Sequence, residues 1–167
     1  MADKLKLPKR DPIAAYARNQ GAARRVGVGA LCACGEARPE ALIPGSQPTS
    51  CAHCERERQG MSVMDDHHVA GAANDSTTVP VPVNDHRAEL STGQQDWPKE
   101  TLANPEGSPL LRAAACIHGF IDYIIYLIKK TLLWIPEMLE NLDAFLRERL
   151  GPKWWMTSPL AKYSPNQ

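Results

Sequence analysis

The 167-residue sequence predicts an α+β protein, in which a small strand–strand–helix (ββα) module is followed by two C-terminal helices. Two close pairs of cysteines predict a compact region of turns at the start of this module. Valines that alternate behind a histidine-rich segment predict a short hairpin, and apolar residues at helical spacing fill the C-terminal third. Hydrophobic residues make up 43% and charged residues 23% of the chain, which excludes wholesale disorder and a fibrous repeat.

Residues 1–31 are predicted to form a basic N-terminal arm with a short helix. They hold seven basic side chains against two acidic ones, although the whole chain balances 19 Lys and Arg with 19 Asp and Glu. Asp11 followed by Pro12 is a typical helix start, with Asp as the cap and Pro in the first turn. DNA, if it is a partner, should meet this arm first. A solvated tail is the alternative.

The N-terminal sequence MADKLKLPKRDP contains no apolar run long enough for a secretory signal. We therefore expect a cytoplasmic protein. In that reducing compartment, clustered cysteines bind metal ions more often than they form disulfides. The neutral total charge also argues against a histone-like coat on nucleic acid.

Residues 32–60 are predicted to form a cysteine knuckle around one metal ion. Each of two cysteine pairs provides two thiolates from a tight turn, and one tetrahedral ion can join the two turns. Four soft thiolates favour Zn²⁺ in a structural role, since a closed site leaves no position open for chemistry. Gly35 suits a turn with positive φ, and His53 could replace one sulfur. The predicted ligands are Cys32, Cys34, Cys51 and Cys54.

Residues 61–96 are predicted to fold as strand, loop, strand and helix. The second strand is predicted by three alternating valines, and two prolines lie between them. These prolines remove the N–H groups from one edge, so the strand can pair along its other edge only. Its predicted partner is the segment 64–69. The alternating residues are Val79, Pro80, Val81, Pro82 and Val83.

The helix of this module is predicted to begin near His86, with Asn84 or Asp85 as its cap. A hairpin followed at once by a helix brings the two elements together. We therefore expect His86 to face His67 or His68 on the first strand.

This arrangement resembles the HNH endonuclease family, whose ββα-metal fold has a doubled histidine or an Asp-His pair on the first strand and a histidine on the helix. The resemblance covers residues 32–95 and includes the preceding cysteine knuckle. It rests on the stretches His67-His68-Val69-Ala70-Gly71 and Asn84-Asp85-His86-Arg87. The fold that it implies is a small zinc-stapled ββα-metal module, to which the two C-terminal helices are appended.

The resemblance implies a metal-dependent endonuclease that hydrolyses phosphodiester bonds of nucleic acid. His68 would be the general base that activates a water, and Asn74 or Asn84 would orient it. One divalent ion, Mg²⁺ or another, would stabilise charge on the phosphate and on the leaving oxygen. The ligands of this catalytic ion would be His67 or Asp66, together with His86.

A second function class stays open, namely a non-catalytic zinc-binding adaptor that keeps the ββα scaffold and assembles through its helices. Residues 32–98 hold four basic and ten acidic side chains, and this net charge of −6 disfavours contact with DNA. Nicking of a supercoiled plasmid in Mg²⁺ or Mn²⁺ discriminates between the two classes.

The C-terminal third is predicted to comprise a polar linker at 97–108, two helices at 109–151 and a tail at 152–167. The helical region begins at Ser108-Pro109 and ends at Gly151-Pro152. Pro136 should break it around residues 129–135. The two helices are expected either to fold on each other or to pair with a second copy of the chain.

A membrane span within this region is disfavoured by its length and its polar residues. The apolar run 113–128 is shorter than the roughly 20 residues that a span needs. It also contains His118 and Asp122. A buried or oligomerising helix is the favoured alternative.

Overall fold

The protein is a mixture of helices and one small sheet, as the α+β prediction requires. A computed structural model describes residues 12–163, so residues 1–11 of the predicted basic arm lie outside the described part. The elements in chain order are α1 (Pro12–Val26), α2 (Ala52–Arg58), β1 (Met64–His68), β2 (Thr78–Pro82), α3 (Val83–Asp85), a π-helical turn (His86–Leu90), α4 (Ser91–Gln94), α5 (Lys99–Ala103), α6 (Pro109–Thr131) and α7 (Trp134–Leu150).

The sheet is an antiparallel hairpin of β1 and β2, which confirms the predicted pairing. Asp65 lies opposite Val81 and His67 lies opposite Val79, so these four side chains share one face. Backbone bonds close the ladder at both ends, from Val83 N to Val63 O at 2.9 Å and from Val69 N to Thr77 O at 3.4 Å. The hydrogen-bonding groups of the valines therefore point at β1.

Residues 83–94 form one helical stretch of three consecutive segments, α3, the π-helical turn and α4. The prediction that Asn84 or Asp85 caps this helix is wrong, because the helix starts at Val83 and both residues lie in its first turn. The Asn84 side chain instead accepts a hydrogen bond from the backbone N–H of His53, and Asp85 accepts one from the Tyr126 hydroxyl. His86 begins the π-helical turn.

A small core joins the hairpin loop to α6. It is built from Ala70, Trp97 and Ala115, each at most 4% exposed. Trp97 donates its Nε1–H to Asp122 at 2.9 Å and stacks on His118 at 5.5 Å between ring centroids. The polar residues of the apolar run in α6 thus have partners within the fold.

The segment 97–108, predicted as a linker, contains α5 and packs into this region. Thr101 and Asn104 are buried, and Asn104 ends α5 in the left-handed conformation with φ of 38°. Trp97 belongs to the core and anchors the start of this segment.

The chain divides into two compact units between Tyr126 and Leu127, a point within α6. The predicted break near Pro136 is confirmed, since a turn at residues 132–133 separates α6 from α7. Within the described residues, the stretch Pro109–Leu150 is long and apolar enough to cross a membrane by length and composition alone. Core helices of soluble proteins pass the same test when they are mostly buried, whereas only 17% of the apolar window in this stretch is buried.

Candidate metal centre and histidine site

The four predicted cysteine ligands come together at one point. Their Sγ atoms all lie within 4.8 Å of one another, close enough to bind a metal ion such as zinc. Zn–S bonds of about 2.3 Å in a tetrahedron place neighbouring sulfurs about 3.8 Å apart. Cys34 Sγ and Cys51 Sγ are 3.6 Å apart. The donor set and its spacing therefore fit a tetrahedral ion.

The backbone of the turn at Cys32 and Cys34 orients these two thiols. Gly35 takes a φ of 92°, and its N–H donates to the carbonyl of Cys32 at 2.9 Å. Cys32 N–H in turn donates to Glu36 O at 3.0 Å, which closes the turn. Only a residue that tolerates left-handed φ can stand after Cys34 without strain, and glycine does so at no steric cost.

The second pair lies at the start of α2. Cys51 is the N-cap of this helix, and its Sγ accepts from the backbone N–H of Cys54 at 3.4 Å. An antiparallel bridge between Leu42 and Cys51 brings the two halves of the knuckle together. Cys51 N–H also donates to Cys32 Sγ at 3.3 Å, so both turns share one small core.

Backbone donors make this pocket suitable for thiolates. The N–H of Cys34 lowers the pKa of the Cys32 thiol to about 7, against the opposing effect of burial, and the N–H of Cys51 adds to the shift. A hydrogen bond with the Cys34 thiol, followed by burial, raises the pKa of Cys54 far above its usual range, and repulsion by the Cys51 thiolate adds to the shift. A divalent cation removes that repulsion.

The knuckle is fastened to the 83–94 helix by a polar network. Arg38 contacts Glu36 at 2.6 Å, Asp85 at 2.8 Å and Glu89 at 2.7 Å. Its hydrogen bonds lower the pKa of Glu36 to about 2. Asn84 adds a bond from His53 N at 2.9 Å and one to Glu36 at 3.2 Å. The knuckle therefore positions the helix that carries the candidate histidine.

The hairpin and this helix bring His67 and His86 together, as predicted. Their ring centroids are 5.2 Å apart, and the two rings meet edge to face. His67 is 2% exposed and its face of the strand looks towards the helix. Burial, followed by the neighbouring imidazoles of His86 and His68, lowers the pKa of His67 to about 4. The ring is thus neutral near pH 7, and its Nε2 atom lies 3.4 Å from the Nε2 of Gln94.

His86 is oriented by Asp65, a residue that the sequence analysis did not select. His86 Nδ1 lies 2.9 Å from Asp65 Oδ2, and Arg56 holds the other carboxylate oxygen at 2.6 Å. Burial acts to raise the pKa of Asp65, but the bonds from His86 and Arg56 outweigh it and lower the pKa. With Nδ1–H donated to Asp65, the His86 Nε2 atom is left for a metal ion or a proton.

The two-residue alternation of side chains along β1 could have predicted Asp65 as a site residue. Alternate side chains share a face, so Asp65 and His67 point to the helix while Asp66 and His68 form the opposite row. Asp66 is exposed, and His68 is half-buried with Nδ1 3.3 Å from the Asp75 carbonyl. Among residues 12–163, only the four cysteines form a group of three or more ligand side chains whose ligand atoms lie close enough to hold an ion.

The two candidate asparagines hold segments together. Asn74 donates to the carbonyls of Thr101 at 2.9 Å and Leu102 at 3.2 Å, and accepts from Asn104 at 3.0 Å. These bonds tie the loop between β1 and β2 to α5. The bonds of Asn84 described above tie the helix to the knuckle. Neither side chain bonds to an imidazole.

A cleft opens beside His86, between α1 and the 83–94 helix. Its volume is about 810 Å³, and Asp65 and His86 form part of its wall. The remaining charged side chains of the lining are Arg18, Arg25, Glu40 and Arg87. His86 is thus accessible from a cavity of the size that binds small organic ligands, whereas His67 does not line it.

Comparison of the chain with protein-family models, with curated proteins and with solved structures found no match.

Proposed function

We propose that the protein is an HNH-like, metal-dependent nuclease that hydrolyses phosphodiester bonds, with a zinc ion as a structural staple in the knuckle. The observation that carries the proposal is the pairing of His67 and His86 at 5.2 Å beside an arginine-lined cleft. Two imidazoles and a carboxylate on facing elements are groups that can hold and orient a divalent ion.

In this proposal His67 and His86 are ligands of one divalent ion, and Asp65 takes the orienting role behind His86. When bound, such an ion supplies charge stabilisation at the scissile phosphate. The burial of His67 keeps its ring neutral, so protons do not compete with the ion near pH 7. Arg56 keeps the Asp65 carboxylate in place.

The proton acceptor for the attacking water is His68, as the resemblance implies. Donation of its Nδ1–H to the Asp75 carbonyl leaves Nε2 as the basic nitrogen. Because His68 lies in the opposite row of β1 from His67, this role is tested separately from the ligand role. A pH–rate profile that loses its ascending limb in His68→Ala supports it; an unchanged profile assigns the proton transfer to another group.

The test of the proposal is nicking of supercoiled plasmid in Mg²⁺ or Mn²⁺ by zinc-loaded protein. We expect His86→Ala and Asp65→Ala to lower the rate by at least about 100-fold, the scale of losing a positioned acid–base or ligand group. His53→Gln removes an imidazole outside the site and should leave the rate unchanged. Intact plasmid and intact RNA with every divalent ion tried would refute the proposal.

The adaptor alternative is favoured by one separate observation, the apolar surface of α7. Its exposed side chains recur at helical spacing and include Met138, Leu139, Leu142, Phe145 and Leu150. In this second candidate function, that face pairs with a second copy of the chain. Light scattering coupled to size exclusion should then give a homo-oligomer, and a strict monomer at high concentration would exclude it.

A further inference from the structure

We propose that the cleft between α1 and the 83–94 helix binds the sugar–phosphate backbone of a nucleic-acid strand, with Arg25 and Arg87 as its phosphate-binding side chains. This inference rests on the proposed nuclease function and names how the substrate of that site is held. It makes α1 one wall of the substrate site.

The cleft joins the candidate reaction centre to basic side chains from two different elements. Arg25 extends from the last turn of α1, and Arg87 follows His86 directly in the π-helical turn. Both line the same cavity of about 810 Å³ as His86. That volume lies within the range of about 300–1,000 Å³ typical of ligand sites, and is much larger than one phosphate group.

Charge pairing in the lining leaves positive charge for a ligand. Arg18 forms an ion pair with Asp96, and Asp65 is matched by Arg56 and His86. Glu40 accepts a hydrogen bond from the neutral amide of Asn19 at 3.0 Å and keeps its charge, which offsets one of the two remaining arginines, Arg25 and Arg87. Within residues 12–163, no carboxylate forms an ion pair with Arg25 or Arg87. The guanidinium groups with unused donors therefore favour an anion such as a phosphodiester.

The wall formed by α1 is built so that the cleft stays open. It presents the small residues Ala17, Gly21 and Ala22 to the cavity. A Cβ built on Gly21 meets no atom within 4 Å. Glycine inside a helix costs up to about 1 kcal/mol relative to alanine. The open space at Gly21 therefore comes with a less stable α1.

A charge test uses fluorescence anisotropy of a labelled single-stranded oligonucleotide with zinc-loaded protein, without added divalent ions so that cleavage is suppressed. Between about 50 and 200 mM salt, each lost phosphate contact on a single strand should reduce the magnitude of the slope of log K against log salt by about 0.7. We expect this loss in Arg25→Gln and in Arg87→Gln. Arg24→Gln, a neighbour on α1 that does not line the cleft, is the matched control and should keep the slope.

A shape test uses Gly21→Leu, which places a bulky side chain on the α1 wall of the cavity without removing charge. Leucine is a better helix former than glycine, so the melting temperature should not fall. We expect at least a tenfold loss of oligonucleotide affinity. Full-strength binding by folded Gly21→Leu, or equal slopes for the Arg25 and Arg24 variants, would overturn the inference.

The outcomes for the cleft and for the nuclease are distinguishable. If the plasmid is nicked in a His86-dependent way while the cleft variants bind normally, the nuclease stands and this inference falls. If binding depends on Arg25 and Gly21 but no ion supports cleavage, the nuclease falls and the cleft is a nucleic-acid-binding site. Free inorganic phosphate and unlabelled oligonucleotide are also compared as competitors, at equal phosphate concentration. If they compete equally, the cleft binds single phosphate groups, and the proposal that it binds a nucleic-acid strand is overturned.

Discussion

The cysteine knuckle and the histidine site both join separate segments of the chain, but they do so by different means. In the knuckle, four Sγ atoms lie within 4.8 Å of one another, and two of the cysteines are themselves part of the local core. In the histidine site, His67 and His86 meet through the packing of a hairpin against a helix. Ligand spacing determines the first, whereas tertiary packing determines the second.

This difference teaches where each region obtains its stability. The buried core of the knuckle consists of only Cys32, Leu42 and Cys51, and so small an apolar core cannot support a fold without a staple. The hairpin instead has α6 against its loop, where Gly119 lets the helix backbone approach Val69. Metal removal should therefore affect the knuckle first, and packing changes should affect the histidine site first.

The largest effect is expected from Cys51→Ser, which removes one thiolate from the knuckle. A structural zinc ion contributes about 10–16 kcal/mol in small zinc domains, so we expect the free energy of unfolding to fall by more than about 5 kcal/mol and bound zinc to be lost. Elemental analysis and thermal melting measure both quantities. Cys116→Ser changes a cysteine outside the cluster and should keep one zinc ion per chain; loss of zinc there would contradict the assignment.

Gly119→Ala tests the packing that supports the histidine hairpin. A Cβ at this position would overlap the carbonyl oxygen of Val69, and overpacking against backbone should cost about 3 kcal/mol in unfolding free energy, the upper end of the usual range. Zinc content should be unchanged. Gly21→Ala, at a helical glycine with open space, should stabilise by about 0.5–1 kcal/mol. Equal changes in unfolding free energy for Gly119→Ala and Gly21→Ala would contradict the close approach of α6 to Val69.

The burial of His67 predicts a pH dependence of stability, measured without added divalent ions. Its pKa is about 4 in the folded protein and near 6.5 when unfolded. Below pH 6.5 the unfolded chain therefore binds a proton that the folded chain does not. The contribution of His67 to the free energy of unfolding is therefore complete above pH 6.5, and it falls by about 3 kcal/mol as the pH drops to 4.

Denaturant titrations of the wild type and of His67→Gln between pH 4 and pH 7 measure this contribution of His67 to the free energy of unfolding. The difference between the two proteins should grow with pH and then level off above about pH 6.5. His53→Gln is the control for removing an imidazole. A pH-independent difference would show that His67 is not held neutral.

The smallest effect is expected where the two regions are joined. Arg38→Met removes the cation that Glu36, Asp85 and Glu89 share, and should cost about 1–3 kcal/mol. Arg58→Met breaks an ion pair with Glu55 in which the arginine side chain is 71% exposed, and should leave the free energy of unfolding unchanged because solvent screens such pairs. Chemical denaturation of both variants measures the two changes in unfolding free energy. If the Arg38 and Arg58 variants lose the same amount, the Arg38 network contributes no more than an exposed ion pair.

Much of the local structure could be predicted because it depends on short-range patterns. The cysteine spacing predicted which thiols converge, and the alternating valines predicted the hairpin and its paired edge. Pro136 predicted a break between two C-terminal helices around residues 129–135, and the turn lies within that range, at residues 132–133. These features need only a few neighbouring residues, so the sequence is sufficient to specify them.

The features that were missed depend on contacts between distant segments. The helix was predicted to start near His86 with Asn84 or Asp85 as its cap, but their side chains bind His53 N and the Tyr126 hydroxyl. Asp65 was overlooked because its partners, Arg56 and His86, lie on two other elements. The wall that α1 adds to the cleft likewise follows from packing that no local pattern encodes.

The two prolines of β2 also limit how this protein can associate. Pro80 and Pro82 lie opposite Asp66 and Met64, with their nitrogens turned away from β1, so the outer margin of the hairpin offers no amide protons at these positions. Another chain cannot extend the sheet there by strand addition, which is a common route to fibrils and tangled aggregates. At the β2 edge of the hairpin, sheet-to-sheet growth between copies of this protein is therefore blocked by the backbone itself.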